Sequence, residues 1–200
     1  PLRAASRSMT VASAFPGASR VWRPGGRAMD DLDAVPGIDF VDIVLEDDRW
    51  EDAGLPAMAE RAARAVGDWL ELGQYQVVVL GCDDARIAEL NAEFRGKPKP
   101  TNVLSWPAIE FGPRQPGERP EIPDIEELGD IAISYDTCRR EAEAQKKPFA
   151  DHTTHLLVHA ILHLAGYDHI DDQDANTMEN SERAILSRLG IPDPYLEHES

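Results

Sequence analysis

Five of the chain's six histidines fall between residues 152 and 169. Three of them have a spacing suited to a metal ion, in the run His159-Ala-Ile-Leu-His163-Leu-Ala-Gly166-Tyr167-Asp168-His169. Residues four apart lie one above the other on a helix, so His159 and His163 can reach one ion together. Gly166 permits the left-handed turn that ends a helix, and a turn there swings His169 back as a third nitrogen. Three imidazoles with an open fourth position for water are the layout of a catalytic zinc site, whereas a closed structural site more often uses cysteine. One zinc ion is the expected cofactor; three imidazoles also suit nickel, copper and iron. A bare HxxxH is common on amphipathic helices, and the glycine and third histidine make this run far more specific. His155, one turn before His159, could compete as a ligand, but is read as a residue that supports a ligand or faces substrate. His152 and His198 are read as surface residues.

The spacing is also similar to the HExxHxxGxxH helix of metzincin proteases, where the glutamate activates the metal's water. Here that position is Ala160, which takes no proton, so a peptidase of that mechanism lacks its base.

The elements that must position these groups follow from periodicity and punctuation. Phe40 to Leu45 and Tyr75 to Leu80 read as apolar strands. Between them Ala57 to Leu72 has helical spacing, with Gly73 placed to end it. Asp83 or Asp84 is expected to cap a helix whose face holds Ile87, Leu90, Asn91 and Phe94 and which Gly96 stops. Asn102 to Trp106 and Leu128 to Ser134 are two further strands, separated by a Pro-, Gly- and Glu-rich loop at 108–127. Helices are expected over Asp136 to Lys147, from Asp151 through the histidines, and over Asp174 to Leu189, with Gly190 and Pro192 as stops. The result is a single α+β domain, roughly four strands packed with helices, whose HxxxHxxGxxH helix and turn lie near its C-terminal end.

Length supports one domain with a real core. Cys82 and Cys138 form no CxxC pair and read as plain core thiols of a reducing compartment. No apolar run approaches the ~20 residues that cross a bilayer, so no membrane partner is expected, and with no secretory h-region visible a cytoplasmic location is expected, an organelle being the alternative. Residues 1–28 contain Arg3, Arg7, Arg20, Arg23 and Arg27 and no acid. They are read as a disordered extension ahead of a domain at 29–190, with Met29 the natural beginning and a transit peptide the alternative. Residues 191–200 are read as a frayed tail. The formal charge is −17, and with +5 on residues 1–28 the remainder carries −22. That balance counts against generic RNA affinity and leaves room for a local basic groove.

Three stretches together resemble the YbeY family of bacterial endoribonucleases over residues 39–190. His159 to His169 is similar to its HxxxHLxGYDH signature. Leu90 to Pro107, LNAEFRGKPKPTNVLSWP, is similar to its LN-x-x-(F/Y)RG-x-x-x-PTNVLSFP segment, and Leu128 to Ser134 to its LGDI strand. Trp106 departs from the usual Phe, the 108–127 stretch looks long and able to trim the cleft entrance, and residues 1–28 have no counterpart.

The resemblance implies a mixed sheet with a zinc site at one end of a cleft. It also implies a single-strand-specific, metal-dependent endoribonuclease that matures ribosomal RNA at the small-subunit 3′ end and serves ribosome quality control. The implied partners are single-stranded and ribosomal RNA, the small ribosomal subunit and its assembly factors. The zinc ligands map onto His159, His163 and His169, the functional arginine onto Arg95, and the LGDI aspartate onto Asp130. Arg95 suits a guanidinium that stabilises charge on a reacting phosphate. Asp130 is expected to orient a zinc-bound histidine or to pair with Arg95. Lys97 and Lys99 are candidates for flanking phosphates, or a solvated basic loop. Thr101, Asn102 and Ser105 are candidates for substrate hydrogen bonds, or turn-forming groups. Asp168 has the same two readings for His169, support of the ligand or an Asx turn. Arg139, Arg140, Lys146 and Lys147 read as a helix surface, one able to meet RNA. Two other readings stay open: a zinc metallopeptidase, weakened by Ala160, and a non-catalytic ribosome-assembly factor whose zinc is structural.

Overall fold

Three β-rich apolar runs pair in parallel to form the centre of one sheet: β2 (Val41–Leu45), β3 (Gln76–Cys82) and β5 (Glu127–Ser134). β4 (Val103–Pro107) closes one edge antiparallel to β5, and the two residues of β1 (Val21–Trp22) pair antiparallel with β2 at the other. The order is β1-β2-β3-β5-β4. The structure, a computed structural model, describes Val21, Trp22 and residues 40–196. The disordered extension expected at 1–28 therefore lies outside the described residues except for those two, which are paired. His198 and the last four residues of the expected tail also lie outside them.

Among the described residues six helices complete the single α+β domain: α1 (Arg49–Asp52), α2 (Leu55–Leu70), α3 (Asp84–Arg95), α4 (Tyr135–Ala144), α5 (Phe149–Leu164) and α6 (Asp172–Arg188). The larger core lies on one sheet face, where α2, α5 and α6 bury Ala62, Val66, Leu157, Ile161, Ile185 and Leu186 against Val77, Val79, Ile131 and Ile133. A smaller cluster on the opposite face sets Ile87 and Leu90 of α3 against Leu80, Leu104 and Ala132. Strand residues alternate between these clusters as a pleated sheet covered on both sides requires. Among the described residues no helix is long and apolar enough to cross a membrane.

The helix boundaries follow local chemistry. Asp83 caps α3 by accepting from Arg86 N at 2.8 Å, and Gly96 ends it at φ 66°. α2 ends at Glu71, which takes the left-handed conformation at φ 54°, so the stop expected at Gly73 falls two residues earlier. Cys82 and Cys138 are both buried free thiols. His152, expected on the surface, is instead buried and pairs with Glu141 Oε2 at 2.8 Å, because its position on α5 faces α4.

Candidate metal centre

α5 carries His155, His159 and His163 at intervals of four, which places all three on one helix face. The helix ends in a tight turn: Gly166 N donates to His163 O and Tyr167 N to Leu162 O, each at 3.0 Å. Gly166 holds φ +90°, and a Cβ there would lie 2.7 Å from the Phe111 ring, so glycine is required on both conformational and steric grounds. The turn returns the chain so that one nitrogen from each of His159, His163 and His169 lies within 4.8 Å of the others.

The hydrogen-bond partners fix which nitrogens are bare. A carbonyl only accepts, so His163 Nδ1, 2.9 Å from Tyr167 O, carries the proton of the neutral ring. His159 Nδ1 lies 2.7 Å from Glu182 Oε1, and a carboxylate likewise only accepts. With both rings neutral, as metal ligation requires, both Nε2 atoms carry lone pairs that face each other at 3.1 Å. Two lone pairs at that separation repel unless a cation lies between them. The spacing is close to the ~3.3 Å edge of a tetrahedron with ~2.0–2.1 Å metal–nitrogen bonds. The donor set therefore fits a metal ion held by His159, His163 and His169. Burial, with His159 and His169 nearby, pushes the His163 pKa down to about 4, which keeps its imidazole neutral and able to coordinate.

Glu182 supports the site from α6. Its side chain is fully buried, and besides His159 it accepts from His155 Nε2 at 2.8 Å and from the Tyr195 hydroxyl. Burial alone would raise this carboxyl, but the hydrogen bonds from His155 and His159 prevail and hold it down at about 2. Burial and the Glu182 charge push the Tyr195 phenol upward.

A cavity of about 340 Å³ opens over the trio, with Arg95, Thr101, Ser105 and Tyr195 on its walls. Arg95 and Ser105 also line an adjoining hollow with His163 and Phe111. β4 is the sheet edge, and Arg95, the last residue of α3, reaches the cleft past it. Arg95 is exposed and has no hydrogen-bond or ion-pair partner among the described residues.

The other expected site residues divide. Thr101 and Ser105 line the cleft. Asn102 does too, but its amide is engaged: Nδ2 donates to Glu141 at 3.1 and 3.2 Å, and Oδ1 accepts from Val103 N at 2.7 Å. Lys97 and Lys99 are exposed on the loop after α3 and do not line either hollow. Asp130 is not brought to the histidines. It pairs in register with Val78 and Trp106, which pack on the α3 side of the sheet, while α5 lies on the other side. The carboxylate that orients a histidine is Glu182, and Asp130 has no hydrogen-bond or ion-pair partner among the described residues.

Glu182, Tyr195 and Arg114 were not singled out from the sequence. Glu182 was findable: an acid on the same helical stripe as Met178, Ile185 and Leu186 implies a buried partner. Arg114 and Tyr195 lie in irregular segments and carry no such signal. Arg139 and Arg140 pair with Glu143 and Asp84, each at 2.8 Å, as surface groups of α4, and Lys147 Nζ donates to Pro194 O at 3.0 Å.

Sheet, helix-turn and cleft together define an α+β domain with a three-histidine candidate metal centre beside a guanidinium that has no partner among the described residues. Comparison with known proteins narrows this class. The pattern of the family described as "Endoribonuclease YbeY" matches residues 45–190. A Paracoccus denitrificans (strain Pd 1222) protein named Endoribonuclease YbeY is 82% identical over 162 residues, covering 81% of this chain and 93% of that protein. Proteins of the same name from Ruegeria sp. (strain TM1040) and Cereibacter sphaeroides are 56% and 55% identical, covering 78% of this chain and 96% and 98% of theirs. The chain belongs to the YbeY endoribonuclease family.

Proposed function

We propose that this protein is a zinc-dependent endoribonuclease of single-stranded RNA that acts in ribosomal RNA maturation, at the 3′ end of the small-subunit RNA, and in ribosome quality control. The observation that carries the reading is the cluster of His159, His163 and His169 nitrogens, with the first two Nε2 atoms 3.1 Å apart, in a cleft that Arg95 also lines. Family membership supports RNA as the substrate. The same reading gives a cytoplasmic protein that meets the small ribosomal subunit and its assembly factors.

His159, His163 and His169 would hold the zinc ion, which would supply Lewis-acid chemistry and a water acidic enough to ionise near neutral pH. The chain's own groups do the rest. Glu182 fixes the His159 tautomer and Tyr167 O that of His163, so both rings present Nε2 without reorganisation. The Arg95 guanidinium, without a partner among the described residues, takes the oxygens of the reacting phosphate with paired hydrogen bonds as negative charge grows on them. The Thr101 and Ser105 hydroxyls hold neighbouring backbone or sugar oxygens, and Lys97 and Lys99 meet flanking phosphates outside the cleft. Because the chain as a whole repels a polyanion, contact is confined to this local patch.

The test is cleavage of a labelled single-stranded RNA, with casein alongside, using protein as purified, after chelation and with zinc restored. RNA cleavage that vanishes on chelation and returns with zinc, with casein intact, is the expected result. Casein cleavage would make the protein a peptidase. Intact RNA and casein in a folded, zinc-loaded protein would make it a non-catalytic assembly factor.

A further inference from the structure

His159 and His163 each have an Nδ1 partner that fixes the ring, whereas His169 has none among the described residues and is exposed. Its position therefore rests on the backbone turn from Gly166 to Asp168. That turn is held from outside by the Pro-rich segment between β4 and β5. Arg114 donates from Nη1 to Gly166 O at 2.9 Å and from Nη2 to Asp168 Oδ2 at 3.2 Å. Its Nε donates to Glu118 O at 3.1 Å, within its own segment, and Asp174 Oδ1 of α6 lies 3.5 Å from Nη2. Asp168 Oδ1 in turn accepts from Ile170 N at 3.3 Å, so the residues on both sides of His169 belong to the same arrangement. Phe111 covers Gly166. The segment is tied down a second time, since Gly117 N donates to Asp174 Oδ1 at 2.9 Å and Thr177 Oγ1 to Gly117 O at 3.0 Å.

We propose that Arg114 is a positioning residue for the third metal ligand, and that the segment around it is a strap that presets the His169 turn rather than only a rim of the cleft. The proposal rests on the reading of His159, His163 and His169 as the zinc ligands. The planar fork of arginine spans the Gly166 carbonyl and the Asp168 carboxylate at once, which a lysine ammonium does not. Without it, Asp168 and the turn lose the one cation paired with them among the described residues, and the third nitrogen must be ordered at the moment the ion binds.

The experiment titrates zinc alone into the chelator-stripped full chain, in competition with a chromophoric chelator, for the wild type, Arg114→Ala and Arg114→Lys. The thermal midpoint of each metal-free protein is read beside it, together with the visible absorption of the cobalt-substituted form. The expected result is a zinc affinity about 10–100-fold weaker in Arg114→Ala and intermediate in Arg114→Lys, the scale typical of groups that orient metal ligands. The metal-free midpoints should be nearly equal, and the cobalt bands of Arg114→Ala should weaken and shift. Wild-type affinity in Arg114→Ala would overturn the proposal alone. Affinity lost only in step with metal-free stability would overturn it too, by making Arg114 a merely structural group. A wild type that binds no zinc would overturn this proposal and the zinc reading together.

Discussion

Glu182 Oε1 lies 2.7 Å from His159 Nδ1, with the carboxylate entirely out of solvent. It is the charge that sets the orientation of the His159 ring, and it sits on α6 rather than on α5, which carries His159 and His163. Glu182→Gln keeps the shape, removes the charge and offers an amide that holds His159 in either tautomer. Zinc affinity is expected to fall about 10–100-fold with the fold retained. Competition titration with circular dichroism checks this, and an unchanged affinity would remove the role given to Glu182.

Arg95 and His159 line the same cleft but are expected to fail in different ways. His159→Ala removes a ligand, so zinc content and RNA cleavage are lost together. Arg95→Ala removes a guanidinium that touches no histidine, so zinc content stays at the wild-type level. Cleavage should fall by about 10²–10³-fold, the cost typical of losing one group that stabilises transition-state charge. Metal analysis beside single-turnover cleavage of the same preparations separates the two. Wild-type cleavage by Arg95→Ala would show that the phosphate is stabilised by another group.

The helix of the trio, the turn at Gly166 and the strands around it were legible because each rests on local chemistry: a four-residue spacing, a left-handed glycine, an alternating apolar run. Asp130 was misplaced because its apolar neighbours give the strand but not the side to which each residue points relative to α5. Pairing with Val78 and Trp106 decides that, and pairing is non-local. The four residues of α1 are too few to display a period, so Trp50 could not be read as the anchor it is. Arg114 was invisible for a related reason, since its partners Gly166, Asp168 and Asp174 lie more than fifty residues away.

Asp130 carries a stability prediction instead. Burial, with Glu127 nearby, raises its pKa from the usual 3.8 to about 6. The folded state therefore binds more protons than the unfolded state between about pH 4 and 6, and stability falls as pH rises through that window and levels off above it. Asp130→Asn should flatten this limb and stabilise the protein at pH 7–8. The gain should be about 1 kcal/mol, well under the full equivalent of the shift because the side chain is partly exposed to water. Urea midpoints across pH 4–8 for both proteins check it, and parallel curves would contradict it.

Trp50 and Gly81 form a close junction between α1 and the sheet. Trp50 is fully buried, donates from Nε1 to Cys82 O at 3.0 Å, and packs edge-on to Tyr135 with ring centroids 5.2 Å apart. A Cβ at Gly81 would lie 2.7 Å from both Trp50 Cδ1 and Leu55 Cδ2. Trp50→Ala should cost about 3–5 kcal/mol through lost burial and a cavity, and Gly81→Ala about 1–3 kcal/mol through overpacking. The two changes are coupled, because the space that the first opens is the space that the second needs. In the Trp50→Ala background the cost of Gly81→Ala should shrink without vanishing, since Leu55 still crowds the new methyl. A double-mutant cycle of chemical unfolding measures this. Strict additivity would mean that the glycine is required by the strand backbone rather than by the indole above it.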